Sequence, residues 1–311
     1  MFQVITIIAP IFALIAIGFL AGRLAWVGPE TTKGLASFTF TLAIPALLFR
    51  AMVVADLPGA ELHRIAGAYF GSAFAVWLVA ALLTSLILRR PAADGVPIAM
   101  SAGFANVVMI GLPISLIAFG SDATAPGAVI VSLHSIVLWI TAALHMAWVN
   151  RSGAASIAST AGELFREIAR NVIILAVVAG TAWRFTGLGL HPVPDQIVGM
   201  LGQAAIPCAL VSLGLSLVGF EIKGQAPTLG MILILKMLAM PAIAWMLARE
   251  VFDLPALETS VVVLFAAMPT GANAYLFAVQ HGRAMNSASG AVALGTAISA
   301  VSATLVVYAL Q

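Results

Sequence analysis

The chain has 311 residues, of which 62% are hydrophobic and only 8% charged, with a mean hydropathy of +1.11. Soluble domains carry roughly a quarter charged residues, so a water-soluble globular fold is excluded. The formal net charge is +2 and no basic run occurs, which leaves nothing to grip a nucleic acid backbone.

About 20 apolar residues are enough to cross the hydrocarbon of a bilayer. Ten such segments are predicted: 2–22, 33–54, 64–88, 97–119, 126–149, 168–186, 196–219, 228–248, 256–280 and 286–310. Arg23 follows the first segment and no positive leader precedes it, so it reads as a spanning helix rather than a cleaved signal. The connectors are too short to fold as domains. The longest, 150–167, is small and polar, and Thr160-x-x-Glu163 forms a capping box that opens a helix toward the sixth segment. Cys208 is the single cysteine, which excludes an internal disulfide and a cysteine metal cluster. No cofactor is expected.

Lys and Arg accumulate on the cytoplasmic side of membrane proteins. With the N-terminus outside, the inner connectors hold Arg23, Lys33, Arg89, Arg90, Arg151, Arg166, Arg170, Lys223 and Arg283. The outer side holds Arg50, Arg64, Arg184 and Arg249, and Lys236 falls within a segment. Nine against four predicts both termini outside, in a bacterial inner membrane.

The prolines suggest a repeat. Residues 44–48 read IPALL and residues 206–210 read IPCAL, an offset of 162 that also carries Gly18 to Gly180. Pro113 in the fourth segment and Pro269 in the ninth lie 156 apart. A five-helix unit repeated after an odd number of crossings must enter the membrane from the opposite face. The expected fold is therefore an all-α membrane protein of ten helices in two inverted five-helix repeats, as in many secondary transporters.

A proline removes a backbone donor and its ring clashes with the carbonyl four residues earlier. Pro113, next to Gly111, and Pro269, next to Gly271, are predicted to break helices 4 and 9, whereas Pro10, Pro45, Pro207 and Pro241 read as kinks. Such breaks must face protein or a watery cavity, where half-helix ends present partial charge. Asn106, Thr270, Asn273 and Tyr275 lie beside them and can bind a polar solute without carrying net charge. Lys236, about 12 Å along its helix from the start of the segment, needs a partner in the membrane. It neutralises the carbonyl end of a broken helix, attracts an anion or, with equal weight, is a structural lysine pinned by backbone carbonyls. His134 is a candidate proton relay, although a histidine in such a helix is more often simply hydrogen-bonded between helices, and that is the favoured reading. No carboxylate takes a mid-membrane position, so the coupling ion stays open between proton, sodium and none. Gly18-x-x-x-Gly22 can pack helices or join protomers.

Four motifs in order, LAIPALLF (42–49), NVVMIGLP (106–113), SLGLSL (212–217) and MPTGANAYLFA (268–278), resemble those of the auxin efflux carrier family, which includes plant PIN carriers and bacterial malonate-type permeases. The likeness covers essentially the whole chain. It implies an elevator-type transporter with two crossed, broken helices and a homodimeric assembly. Residues 1–60 and 165–224 (helices 1, 2, 6 and 7) would form a scaffold, and 61–149 and 225–311 (helices 3–5 and 8–10) a transport domain. Asn106 and Pro113 would receive an anion's carboxylate, with Pro269 as the partner break. The long cytoplasmic loop of the plant carriers is missing.

The expected function is a secondary carrier that moves a small organic anion by alternating access. A sodium-coupled symporter of the bile-acid type shares the ten-helix crossed plan and is the runner-up. From other classes come a channel and an intramembrane enzyme, although the chain has no His-Glu-x-x-His, no Gly-x-Ser-x-Gly and no paired intramembrane aspartates.

Overall fold

A computed structural model describes residues 2–54, 62–150, 172–220 and 226–310. The expected cap at Thr160 and Glu163, and the connector around it, lie outside these residues. Among the described residues every regular element is helical: α1 (Phe2–Arg23), α2 (29–54), α3 (Leu62–Leu86), α4a (Ala92–Gly103), α4b (Val107–Phe119), α5 (Ser121–Asn150), α6 (Val172–Phe185), α7 (Pro192–Leu217), α8 (Ala226–Val251), α9a (Ala256–Ala266), α9b (Ala272–His281) and α10 (Met285–Leu310). Six of them, α2, α3, α5, α7, α8 and α10, are long and apolar enough to cross a membrane by length and composition.

Small residues decide which helices meet. The backbone of α1 at Gly18 lies directly on the Val211 backbone of α7, leaving no space for a Cβ. Gly214 returns the contact from α7 to the backbone at Ile15. The Gly18-x-x-x-Gly22 motif thus joins two helices of one chain, Gly22 facing Val218 and Leu215. Gly180 of α6 sits in the same way on the Phe49 backbone of α2. Both partners shift together: 180 minus 18 and 211 minus 49 are each 162. In lipid, close backbone approach of this kind replaces the hydrophobic drive that bundles helices in water.

The most extensive packing within 1–54 and 172–217 is α1 on α7 and α2 on α6 and α7. The rest of the chain packs around α3, which touches α4a, α5, α8 and α9a. Polar links tie helix ends. Arg50 forks onto Asp195, Nε to Oδ1 at 2.6 Å and Nη2 to Oδ2 at 3.0 Å, joining α2 to α7. Arg64 donates to the carbonyls of Phe252 and Asp253, holding α3 to the end of α8. Asp94 accepts from Arg90 at 3.2 Å and pairs with Arg283 at 3.5 Å, while Arg90 also reaches Thr228 at 3.4 Å.

Candidate functional site

The first break is not where the prolines point. α4a ends at Gly103, the chain runs extended through Phe104 and Ala105, and Asn106 caps the start of α4b, its Oδ1 accepting from the Met109 N–H at 3.3 Å. Pro113 lies buried inside α4b, two residues after a π-helical turn at Val107–Gly111. The wide turn bonds i to i+5, so the carbonyl that a proline ring would strike is already turned aside. Three of the four π turns among the described residues end two residues before a proline: Thr39–Ala43 before Pro45, Val107–Gly111 before Pro113 and Leu235–Ala239 before Pro241. Pro45 and Pro241 lie in uninterrupted helix, and Pro113 belongs with them. Pro269 does sit in a break, between α9a and α9b.

The two breaks pair with each other. Ala105 and Thr270 form an isolated antiparallel bridge. The Asn106 N–H donates to the Pro269 carbonyl at 2.8 Å, and the Gly271 N–H to the Phe104 carbonyl at 2.9 Å. These bonds interchange under a shift of 165 (271 minus 106, and 269 minus 104), so Phe104–Asn106 is the counterpart of Pro269–Gly271. Backbone groups that would be orphaned in lipid thereby satisfy one another. Carbonyls left behind at the ends of the first half-helices also find donors. The Thr270 hydroxyl donates to Ser101 at 2.7 Å, and the Lys236 ammonium to Ala266 at 2.6 Å.

A cavity of about 450 Å³ opens beside this junction. Its wall includes Asn106 to Met109 from the first turn of α4b and Gly271 to Asn273 from the start of α9b. Two helix N-termini thus converge on one space, each carrying roughly half a positive charge in its free N–H groups. The Asn106 Oδ1 is engaged by its cap, and its Nδ2, buried, has no hydrogen-bond partner among the described residues. Phe40 of α2, Val172 and Ile173 of α6, and Val131, His134, Ser135 and Trp139 of α5 complete the wall. His134 is 1% exposed, with Nδ1 3.1 Å from the Tyr69 hydroxyl and the Phe104 ring 4.2 Å away. The hydroxyl and the imidazole share one hydrogen bond, and the imidazole tautomer sets which of them donates. Nε2 is buried without a hydrogen-bond partner among the described residues.

Of the residues singled out from sequence, Asn106, Asn273 and His134 line this cavity. Pro269 and Thr270 build the junction and are buried beneath it. Gly111 is a packing residue, since a Cβ there would come within 3.2 Å of Met268 and Phe265. Pro113 and Tyr275 are not among the wall residues, Tyr275 standing edge-on to Phe220 at 5.0 Å between centroids. Lys236 is fully buried behind α9a and does not line the cavity either. Sequence reasoning missed Phe104 and Ala105. The signal was Asn106 itself, because asparagine is a preferred N-cap and marks a helix start.

Comparison with known proteins agrees with a membrane carrier. A family model described as "Membrane transport protein" matches residues 3–307. The chain is 28% identical to a "Putative malonate transporter" of Rhizobium meliloti, over 100% of this chain and 97% of that protein. It is 23% identical to an "Uncharacterized transporter" of Methanothermobacter thermautotrophicus, covering 95% of this chain and 94% of the relative. A mouse "Lysosomal cholesterol signaling protein" is 25% identical over 93% of this chain but only 35% of its own length. An apolar chain, matched from end to end by transport proteins and holding a cavity at paired helix breaks, is an integral membrane transporter rather than an enzyme: it belongs to the membrane transport protein family.

Proposed function

We propose that the protein is a secondary carrier for a small organic anion, a carboxylate such as malonate, working by alternating access. One observation carries this reading. The N-termini of α4b and α9b meet at a cavity whose wall includes Asn106, an amide whose Nδ2 has no partner among the described residues. Peptide dipoles and amides fixed in a low-dielectric setting favour an anion without a fully charged residue at the wall. Asn106 and Asn273 would hold the carboxylate, with His134 beside them in the wall. The malonate transporter similarity supplies the substrate class.

Ten crossings in two inverted repeats account for several observations at once. The contacts of Gly18 and Gly180 interchange at an offset of 162, and the junction bonds at 165. With the N-terminus outside, Arg50 and Asp195 fall on the outer face, as do Arg64 and Asp253. Arg90, Asp94, Thr228 and Arg283 fall together on the inner face. Arg50 and Arg64, two of the four outer exceptions to the charge bias, are engaged in structural bonds. The cavity wall combines α2 and α6 with α4, α5 and α9, so it lies between the proposed scaffold and transport domains. Rigid movement of one group against the other would carry the site across, as in an elevator.

The test is a thermal-shift screen of mono- and dicarboxylates against the purified protein and Asn106→Ala. A carboxylate that stabilises the wild type and not the variant supports the site. Stabilisation that survives Asn106→Ala unchanged removes it.

A further inference from the structure

Lys236 is 0% exposed, donates to the Ala266 carbonyl at 2.6 Å and approaches the Met240 sulfur at 3.0 Å. Among the described residues no carboxylate pairs with it. Its place follows from the junction. In an unbroken helix the Ala266 carbonyl would accept from the N–H of residue 270. The break turns Thr270 against Ala105 instead. The counterpart of Ala266, 165 residues earlier, is Ser101, whose carbonyl receives the Thr270 hydroxyl. The residue that would return this favour to Ala266 is Ala105, which has no hydroxyl. Two equivalent half-helix ends are therefore capped differently, one by a neutral hydroxyl and one by a cation.

A hydroxyl is enough for the hydrogen bond, and an ammonium is far more costly to bury. Capping alone thus gives no reason for a lysine. In carriers built on broken helices, half-helix C-terminal ends and unwound carbonyls are where coupling cations bind. A side-chain ammonium already holds that end of α9a. We infer that Lys236 is a tethered counter-cation, supplying the positive charge that a coupling ion would bring, so that the anion is carried without an inorganic cation. It is a positioning residue: by neutralising the negative end of α9a it leaves the positive start of α9b unopposed toward the cavity. This rests on the anion-carrier reading.

The experiment measures malonate-induced thermal stabilisation of purified protein in sodium, potassium and choline buffers. The set is wild type, Lys236→Met, Lys236→Gln, and Lys236→Met combined with Ala105→Thr, which rebuilds the neutral cap seen at Ser101. Wild type is expected to respond equally in all three buffers. The double variant is expected to regain the thermal midpoint that Lys236→Met loses, yet to bind malonate in choline about tenfold or more weakly, as loss of a nearby charge implies. Wild-type-like malonate binding in choline by the double variant overturns the inference, because a neutral cap then suffices. The same result with Lys236→Gln, which keeps a donor without the charge, overturns it should the double variant not fold. A wild type that needs sodium to bind malonate overturns it alone, whereas a wild type that binds no carboxylate removes the carrier reading beneath it.

Discussion

The main-chain N–H of Asn106 lies 2.8 Å from the carbonyl of Pro269, a hydrogen bond between two interrupted helices 163 residues apart in sequence (269 minus 106). It is half of a reciprocal pair, and it fixes where both second half-helices begin. The candidate site depends on that placement more than on any charged side chain.

Asn106 has two tasks that substitution can separate. Its Oδ1 caps α4b and its Nδ2 is buried without a hydrogen-bond partner among the described residues. Asn106→Ala removes both and is expected to cost about 1 kcal/mol of stability together with a roughly tenfold to hundredfold loss of carboxylate binding. Asn106→Asp keeps the cap but sets a negative charge at the site. Its thermal midpoint should stay near that of the wild type while carboxylate stabilisation disappears.

Two prolines that look alike in sequence should behave differently. Pro113→Ala acts within a continuous helix after a π turn and should leave carboxylate binding within about threefold of the wild type. Pro269→Ala restores a backbone donor at the junction, lets α9a extend toward α9b, and should weaken binding by about tenfold or more. Equal effects in a thermal-shift titration would count against the assigned break.

Much of the fold could be read from composition and hydropathy, because helix is the economical way to satisfy a backbone in lipid. The break in α9 was legible because Pro269 lies in it. The break in α4 was not, because Pro113 and Gly111 imitate one. A proline two residues beyond a π turn costs the helix little, whereas Phe104 to Asn106 leave helical geometry where the Pro269–Gly271 segment offers hydrogen bonds to Phe104 and Asn106. That cause is tertiary and has no local signature. Tyr275 misled in a similar way: it neighbours Asn273 in sequence but packs on Phe220 rather than on the cavity wall.

Helix contact through glycine gives a stability prediction. Gly18→Leu and Gly180→Leu each drive a side chain into a neighbouring backbone, which cannot yield as a flexible side chain does. Each should destabilise by about 1–3 kcal/mol or more. Gly34→Ala, in open space on α2, should be neutral or stabilise by up to about 1 kcal/mol. Differential scanning fluorimetry checks all three. Loss of dimers from a still stable Gly18→Leu would instead assign that glycine to a protomer contact.

The proposed topology puts Thr31 and Thr186 on opposite faces, since α2 to α6 supply five crossings between them. In a Cys208→Ala background, an impermeant maleimide applied to intact cells should label Thr186→Cys and spare Thr31→Cys. The reverse pattern inverts the orientation, and labelling of both contradicts the odd number of crossings.

The most direct test of the central claim is malonate counterflow in proteoliposomes holding the wild type or Asn106→Asp. Two converging helix starts that bind a carboxylate predict saturable accumulation of labelled malonate by the wild type and none by Asn106→Asp, with both proteins folded. No saturable counterflow by the wild type, or equal counterflow by both, would contradict it.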